Sequence, residues 1–434
     1  MATRNSTPVR SSRLKPRLRR LLHILGPGLV TGAADDDPSG ILTYSQSGAQ
    51  FGLTQLWTVL AMLPLMISVQ EISARIALVT NQGIAAVIRR NYSRWVLYAI
   101  VTLLLIANTI NLGADLGAMA DSARLIVPLP YYFLISAFGV ILISLELLVP
   151  YRRYAPMLKV LTISLFAYFI TGLIATHDWM SVLKATFVPH IRFDFQFLMI
   201  IVGVLGTTIS PYCFFWEASQ EVEEKREHHQ SHVMSGAMLK NARVDTVFGM
   251  LFSEVAAWFI IETAAVVLYP NGVRNIQTSA QAASALAPLV STFAHAGTIS
   301  KVLFVLGVIG TGSLAVPIFA ASSSYAVCEL FGWRESLALK PGQAPGFYWV
   351  IFAGTAIGVI FNYAGLDPIK ALIYSAVING VIAVPIIFML IRISNNKQIM
   401  GEYASGTLSR IVSGATFALM ALAALLMLYT SLFK

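Results

Sequence analysis

Two of this chain's membrane-length apolar segments are broken in the middle, and the breaks stand five segments apart. The first break lies in Gly26-Pro27-Gly28-Leu29-Val30-Thr31-Gly32-Ala33-Ala34-Asp35-Asp36-Asp37-Pro38-Ser39-Gly40, within an apolar stretch over Leu21–Gln50. The second lies in Gly203-Val204-Leu205-Gly206-Thr207-Thr208-Ile209-Ser210-Pro211, within Phe197–Glu221. Proline has no backbone donor and disfavours helix at the residue before it. Each segment is therefore expected to be two half-helices with unwound backbone between them. In a bilayer such backbone is tolerated only where it is buried in protein or lines a polar cavity. Five is odd, so a second set of five segments would be inserted upside down relative to the first. The pattern predicts an all-α membrane protein, an inverted repeat with a site near the midplane between two broken helices.

Composition supports this and excludes a soluble domain. The 434 residues are 56% hydrophobic and 12% charged, with a mean hydropathy of +0.71. Windows of about 19 residues mark eleven spans. Besides the two broken ones they are Leu53–Val79, Trp95–Met119, Tyr131–Val149, Ala155–Ala175, Thr246–Tyr269, Ser300–Phe331, Phe347–Ala364, Ile369–Ile393 and Ile411–Leu432. The expected organisation is a basic tail over residues 1–20 and a first five-helix repeat over 21–176. A second, inverted repeat follows over 195–393, then an inner loop and eleventh helix over 394–434. The outer connection His177–Asp194 reads as an amphipathic surface segment, and Ile276–Ala296 as a short helix over the outer face. Glu221–Asp245 reads as a charged inner connection.

The net charge of +9 does not indicate nucleic acid. With the N-terminus placed inside, 22 of the 30 Lys and Arg residues fall in inner segments, seven of them in the tail before Leu21. The excess is topology, with the N-terminus cytoplasmic and the C-terminus outside. Arg19-Arg20 before an apolar stretch resembles a secretory signal. The stretch runs into three aspartates with no small-residue cleavage site, so it reads as a retained first helix. Cys213 and Cys328 lie in membrane segments, which leaves no disulfide framework and no thiolate cluster.

Carboxylates at mid-membrane cost roughly 2.5–3.5 kcal/mol each on an insertion scale. Asp35, Asp36 and Asp37 therefore imply an offsetting cation. Successive helical residues point about 100° apart, so the three cannot all face one ion. Asp37, at the break, is the expected ligand. Asp35 and Asp36 either draw hydrated cations into a vestibule or pair with nearby backbone amides. Thr43 and Gln46 on the same segment can hydrogen-bond a hydrated ion. Glu217, Gln220 and Glu221 either line an inner exit or are solvated at a helix end. Glu71 and Arg75, four residues apart, read as a buried ion pair or gate latch. His228, His229 and His232 read as solvated loop histidines, Cys213 as packing, and Ser322-Ser323-Ser324 as a close helix contact.

Gly26-Pro27-Gly28, Asp37-Pro38-Ser39-Gly40 and Gln46-Ser47-Gly48-Ala49-Gln50-Phe51-Gly52 together resemble the first helix of the Nramp divalent-metal transporters. Trp57, Gln70-Glu71-Ile72-Ser73-Ala74-Arg75 and Ala77 continue the likeness. Ala383-Val384-Pro385-Ile386-Ile387 and Lys397-Gln398-Ile399-Met400-Gly401-Glu402-Tyr403 anchor its far end. The resemblance implies a LeuT-type fold of the APC superfamily in the plasma (inner) membrane. It also implies no enzymatic activity and no cofactor. The metal ion is cargo, and the partners are that ion and the lipid bilayer, with a monomer expected.

The departures are as informative. The family's first-helix motif is Asp-Pro-Gly-Asn with Asp and Asn as ligands; Asp37 matches, and Gly40 replaces the Asn. Its sixth-helix motif is Met-Pro-His, and here Ser210-Pro211-Tyr212 removes the thioether. A further family histidine falls at Glu217. Asp115 matches an acidic proton-pathway position, while other family glutamates fall at Asn108 and Ala118. Asn379 falls near a polar ligand position. Losing sulfur favours hard, oxygen-liking cations. Magnesium, which keeps waters and needs one or two carboxylates, suits Asp37 with carbonyls, Thr207, Ser210 and the room expected at Gly40. The pattern resembles the Nramp-related magnesium transporter branch, which implies transport of magnesium and/or manganese without obligatory proton coupling. Two readings stand beside it, a proton-coupled manganese or iron symporter and a sodium-coupled organic solute symporter on the same fold.

Overall fold

The computed structural model describes residues 26–149, 162–227, 235–291 and 295–432. All regular structure among them is helical. The first span is two half-helices, α1 (Pro27–Asp35) and α2 (Pro38–Phe51), each with its proline in the first turn, where the missing N–H costs nothing. Between them Asp36 (φ −82°, ψ 53°) and Asp37 (φ −68°, ψ 173°) leave the helical region. The later spans are α3 (Trp57–Thr80), a short amphipathic α4 (Ile84–Asn91), α5 (Arg94–Ala123), α6 (Tyr131–Leu148) and α7 (Phe166–Ala175). The expected amphipathic segment forms α8 (Trp179–Phe187), whose Trp179 stacks on Trp258 at 6.5 Å. The second broken span is α9 (Phe195–Thr208) and α10 (Pro211–Glu227), interrupted at Ile209-Ser210.

The remainder is α11 (Gly236–Val267), a short outer α12 (Ser279–Ala283), α13 (Ala296–Phe331), α14 (Pro345–Asn362), α15 (Pro368–Asn395) and α16 (Thr407–Leu432). Nine helical stretches among the described residues are long and apolar enough to cross a membrane. Of the other two expected spans, the first is the α1–α2 pair, and α7 is the described helix of the one over Ala155–Ala175. The basic tail, Arg152, Arg153, Lys159, His228, His229 and His232 lie outside the described residues.

One connection differs from expectation. Residues Glu221–Asp245 are largely helical, because α10 runs on to Glu227 and α11 begins at Gly236. Hydropathy windows end at charge, whereas helices continue past the apolar zone wherever their charged positions find partners.

α11 forms the floor on which both halves of the first span lie. A Cβ on Gly32 would sit 2.2 Å from the Gly249 carbonyl oxygen, so the two backbones meet with nothing between them. Small residues allow this approach, and van der Waals contact holds it where no hydrophobic force acts between helices. α5 packs across α13, α14 and α15. There Asn108 donates to Ser322 Oγ and Ser323 Oγ, both at 2.9 Å, so the serine run is a close helix contact tied by an amide.

Candidate cation site between the broken helices

The two breaks face each other. Tyr44 Oη of α2 lies 2.8 Å from Thr208 Oγ1 at the end of α9. Tyr212 Oη at the start of α10 donates to the Ala34 carbonyl of α1 at 3.0 Å. Asp37 caps α2 from inside this junction. Its Oδ1 accepts from the Gly40 amide at 2.6 Å and from Ser39 Oγ at 2.8 Å, and Thr207 Oγ1 is 3.5 Å from Ser39 Oγ. These contacts fix the Oδ1 oxygen, and the Thr207 hydroxyl also acts on the Asp37 carboxylate. Ser210 Oγ lies 2.7 Å from the carbonyl oxygens of both Gly206 and Thr207 and its single proton serves one of them at a time, so its oxygen stands at the break with lone pairs to spare. Asp37, Gly40, Thr207 and Ser210 are thus brought together.

The space above Gly40 is smaller than expected. A Cβ there would lie 3.1 Å from Thr207 Oγ1, 3.3 Å from the Tyr44 ring and 3.4 Å from the Asp35 carbonyl oxygen. The threonine and the tyrosine fill what the missing amide would have occupied. No three His, Cys, Asp or Glu side chains among the described residues are arranged to cage a metal. The junction offers one carboxylate, hydroxyls and carbonyls.

The other expected residues divide by depth. Asp115 on α5 is buried with both oxygens unpartnered, and Asp37 is the charge that acts on it. Asn379 on α15 accepts from Asn111 Nδ2 at 2.7 Å and keeps its own amide nitrogen free. Thr43 is buried with an unpartnered hydroxyl. Gln46 is otherwise engaged. Its Nε2 donates to the Arg274 carbonyl at 3.1 Å and its Oε1 accepts from the Ile276 amide at 2.8 Å, which fastens α2 to the outer connection.

Glu217 accepts from Thr31 Oγ1 at 2.5 Å and approaches Thr246 Oγ1 at 3.5 Å, so it joins α10 to α1 and α11 rather than touching Asp37. Glu221 is buried beside it, and Gln220 reaches Tyr325 Oη at 3.4 Å. Glu71 and Arg75 form the expected pair at 3.3 Å. Arg243 of α11 extends it, reaching the other Glu71 oxygen at 2.8 Å. Asp37 is only 1% exposed, so the junction is shielded from solvent.

Sequence reasoning missed the α11 contribution. Ser253 and Glu254 sit in an apolar stretch, and a glutamate at such depth is itself a signal. Asp35 and Asp36 turn toward Ser253, whose Oγ is 2.9 Å from Asp35 and 3.3 Å from Asp36. Cys213 Sγ also touches Asp35 at 3.7 Å.

Two interrupted helices meeting at a buried polar junction mark a LeuT-type fold. Among solved structures, MhsT in complex with L-phenylalanine superposes with a TM-score of 0.61 at 12% identity, covering 94% of this chain and 98% of that one. The manganese transporter of Eremococcus coleocola superposes with a TM-score of 0.77 at 16% identity, covering 97% of this chain and 88% of that one. The family model for natural resistance-associated macrophage protein-like proteins, Nramp, matches residues 28–430, and the chain belongs to that family. It is therefore a membrane transporter and not an enzyme. A relative described as the divalent metal cation transporter MntH, from Caldanaerobacter subterraneus subsp. tengcongensis, is 24% identical over 400 residues. The match covers 91% of this chain and 90% of the relative.

Proposed function

We propose that this protein carries a divalent cation, magnesium and/or manganese, across the plasma (inner) membrane by alternating access, with Asp37 as the ligand and no obligatory proton coupling. One observation supports the reading above others: both helix breaks converge on a capped aspartate whose neighbours Ser39, Thr207 and Ser210 present oxygen. An oxygen-only surrounding suits a hard cation that keeps part of its water. The metal-transporting relatives named above agree with divalent cargo. The charge distribution supports a cytoplasmic N-terminus and an outer C-terminus.

Asp115 favours a second reading. A buried carboxyl without a partner, acting on the ligand aspartate, is placed to take up a proton as the cation leaves, which would make the protein a proton-coupled symporter. Proteoliposomes loaded with a magnesium dye and a pH probe decide between them. The expected result is dye response without lumenal acidification. Acidification in step with uptake would establish coupling, and no dye response to magnesium or manganese would remove divalent transport altogether.

A further inference from the structure

Asp37 occupies one side of the α1–α2 break. The other side holds a second group of acids to which the proposed transport step gives no task. Asp35 and Asp36 are fully buried, and Glu254 of α11 is 3% exposed. Ser253 Oγ contacts both aspartates, yet a hydroxyl carries one proton and can donate to only one of them. Asp36 Oδ2 and both Glu254 oxygens are buried without a hydrogen-bond partner. Glu254 follows Ser253 on α11, near enough for its charge to act on Asp35 and on Asp36. α1 ends at Asp35, and the free carbonyls of its last turn add partial negative charge there. No ion pair among the described residues brings a basic side chain to any of the three acids. Buried carboxylates persist when a positive charge compensates them. The orphaned oxygens of Glu254 and Asp36 mark where that charge belongs.

We propose that this cluster is a second cation site, separate from Asp37, which takes a monovalent alkali cation such as sodium. Asp35, Asp36 and Ser253 Oγ supply the direct oxygen ligands, and Glu254 supplies the compensating charge from α11. The choice of a monovalent ion rests on electrostatics. Asp36 and Asp37 are chain neighbours, with Cα atoms about 3.8 Å apart. A divalent ion at the cluster would meet twice the repulsion from an ion at Asp37 that a monovalent one would. That choice of charge rests on the divalent reading of Asp37, whereas the binding itself does not. Such a site would couple the two sides of the break, because a bound monovalent ion ties α1 to α11 while the cargo is held.

The experiment uses the purified full-length protein in detergent, free of divalent metal. Binding of radioactive sodium is measured against choline by scintillation proximity for the wild type, Glu254→Gln, Asp36→Asn and Ser253→Ala. Manganese calorimetry on the same preparations reports the Asp37 site independently, so failure of either reading is seen separately. The expected result is saturable sodium binding in the wild type, weakened at least tenfold in Glu254→Gln and Asp36→Asn and several-fold in Ser253→Ala. Manganese binding by Glu254→Gln should change much less than sodium binding. Sodium should also raise the wild-type melting temperature relative to choline, and should not do so for Glu254→Gln. If Glu254→Gln does not fold, Ser253→Ala, which keeps every charge, carries the comparison. Absence of saturable sodium binding in the wild type, or binding unchanged in the variants that fold, overturns the proposal.

Discussion

The carboxylate of Asp245 accepts a 2.7 Å hydrogen bond from the backbone N–H of Gly28, although 217 residues separate them. Its other oxygen takes the amides of Gly26 and Leu29 at 2.9 and 3.2 Å. A helix start needs acceptors for its free amides, and α1 has no side-chain cap of its own at Gly26. α11 supplies the cap instead, which fastens the start of α1 to α11. Asp245→Ala should cost roughly 1–3 kcal/mol of stability, as lost caps and charged hydrogen bonds do. It should also raise the labelling rate of a cysteine placed at Val30, in a background without Cys213 and Cys328, several-fold from the inner side. Unchanged labelling would mean that Asp245 is no gate.

Gly40 leads to a prediction opposite to simple restoration of the family motif. Because Thr207 and Tyr44 fill the space beside it, Gly40→Asn should impair transport and cost roughly 1–3 kcal/mol from overpacking. Adding Thr207→Ala should recover part of both. Thermal melting and dye-based uptake measure the two effects, and a fully active Gly40→Asn single variant would contradict the packing described above.

Asp37→Ala should abolish uptake while leaving expression intact, since only one side-chain cap is lost from α2. Ser210→Met places a thioether at the break and should shift preference toward cadmium or manganese over magnesium, read by calorimetry with each ion. An unaltered ion ranking would place Ser210 outside the coordination sphere.

Glu335 lies in the turn after α13, where burial and the neighbouring Glu329 carboxylate raise its pKa to about 9. A carboxyl raised above its unfolded value binds more protons folded than unfolded. Its contribution to stability therefore falls as pH rises from the unfolded value near 4.5 toward 9. Melting temperature should decline over that window, and Glu335→Gln should flatten the decline and raise the melting temperature at pH 8. An identical slope in the variant would assign the effect to other groups.

Much of the frame was legible before the structure. Pro38 and Pro211 act on their own backbone, so the half-helices follow from the chain alone. The Glu71–Arg75 pair is a spacing on one helix and was equally readable. Glu217 was not. Its position on α10 was clear, but its partners Thr31 and Thr246 belong to other helices. Gln46 likewise gave no sign that its amide fastens the outer connection.

The sequence by itself determined where the chain crosses the membrane, where two crossings break, and that an aspartate stands at the first break. Those are local effects of proline, hydropathy and charge. Only the tertiary structure decided that Thr207 and Tyr44 close the space at Gly40. It also decided that α11 brings Ser253 to Asp35 and Asp36. Such outcomes depend on how closely helices approach, and that distance is set by pairs such as Gly32 and Gly249, 217 residues apart in the chain, whose contact no local pattern encodes.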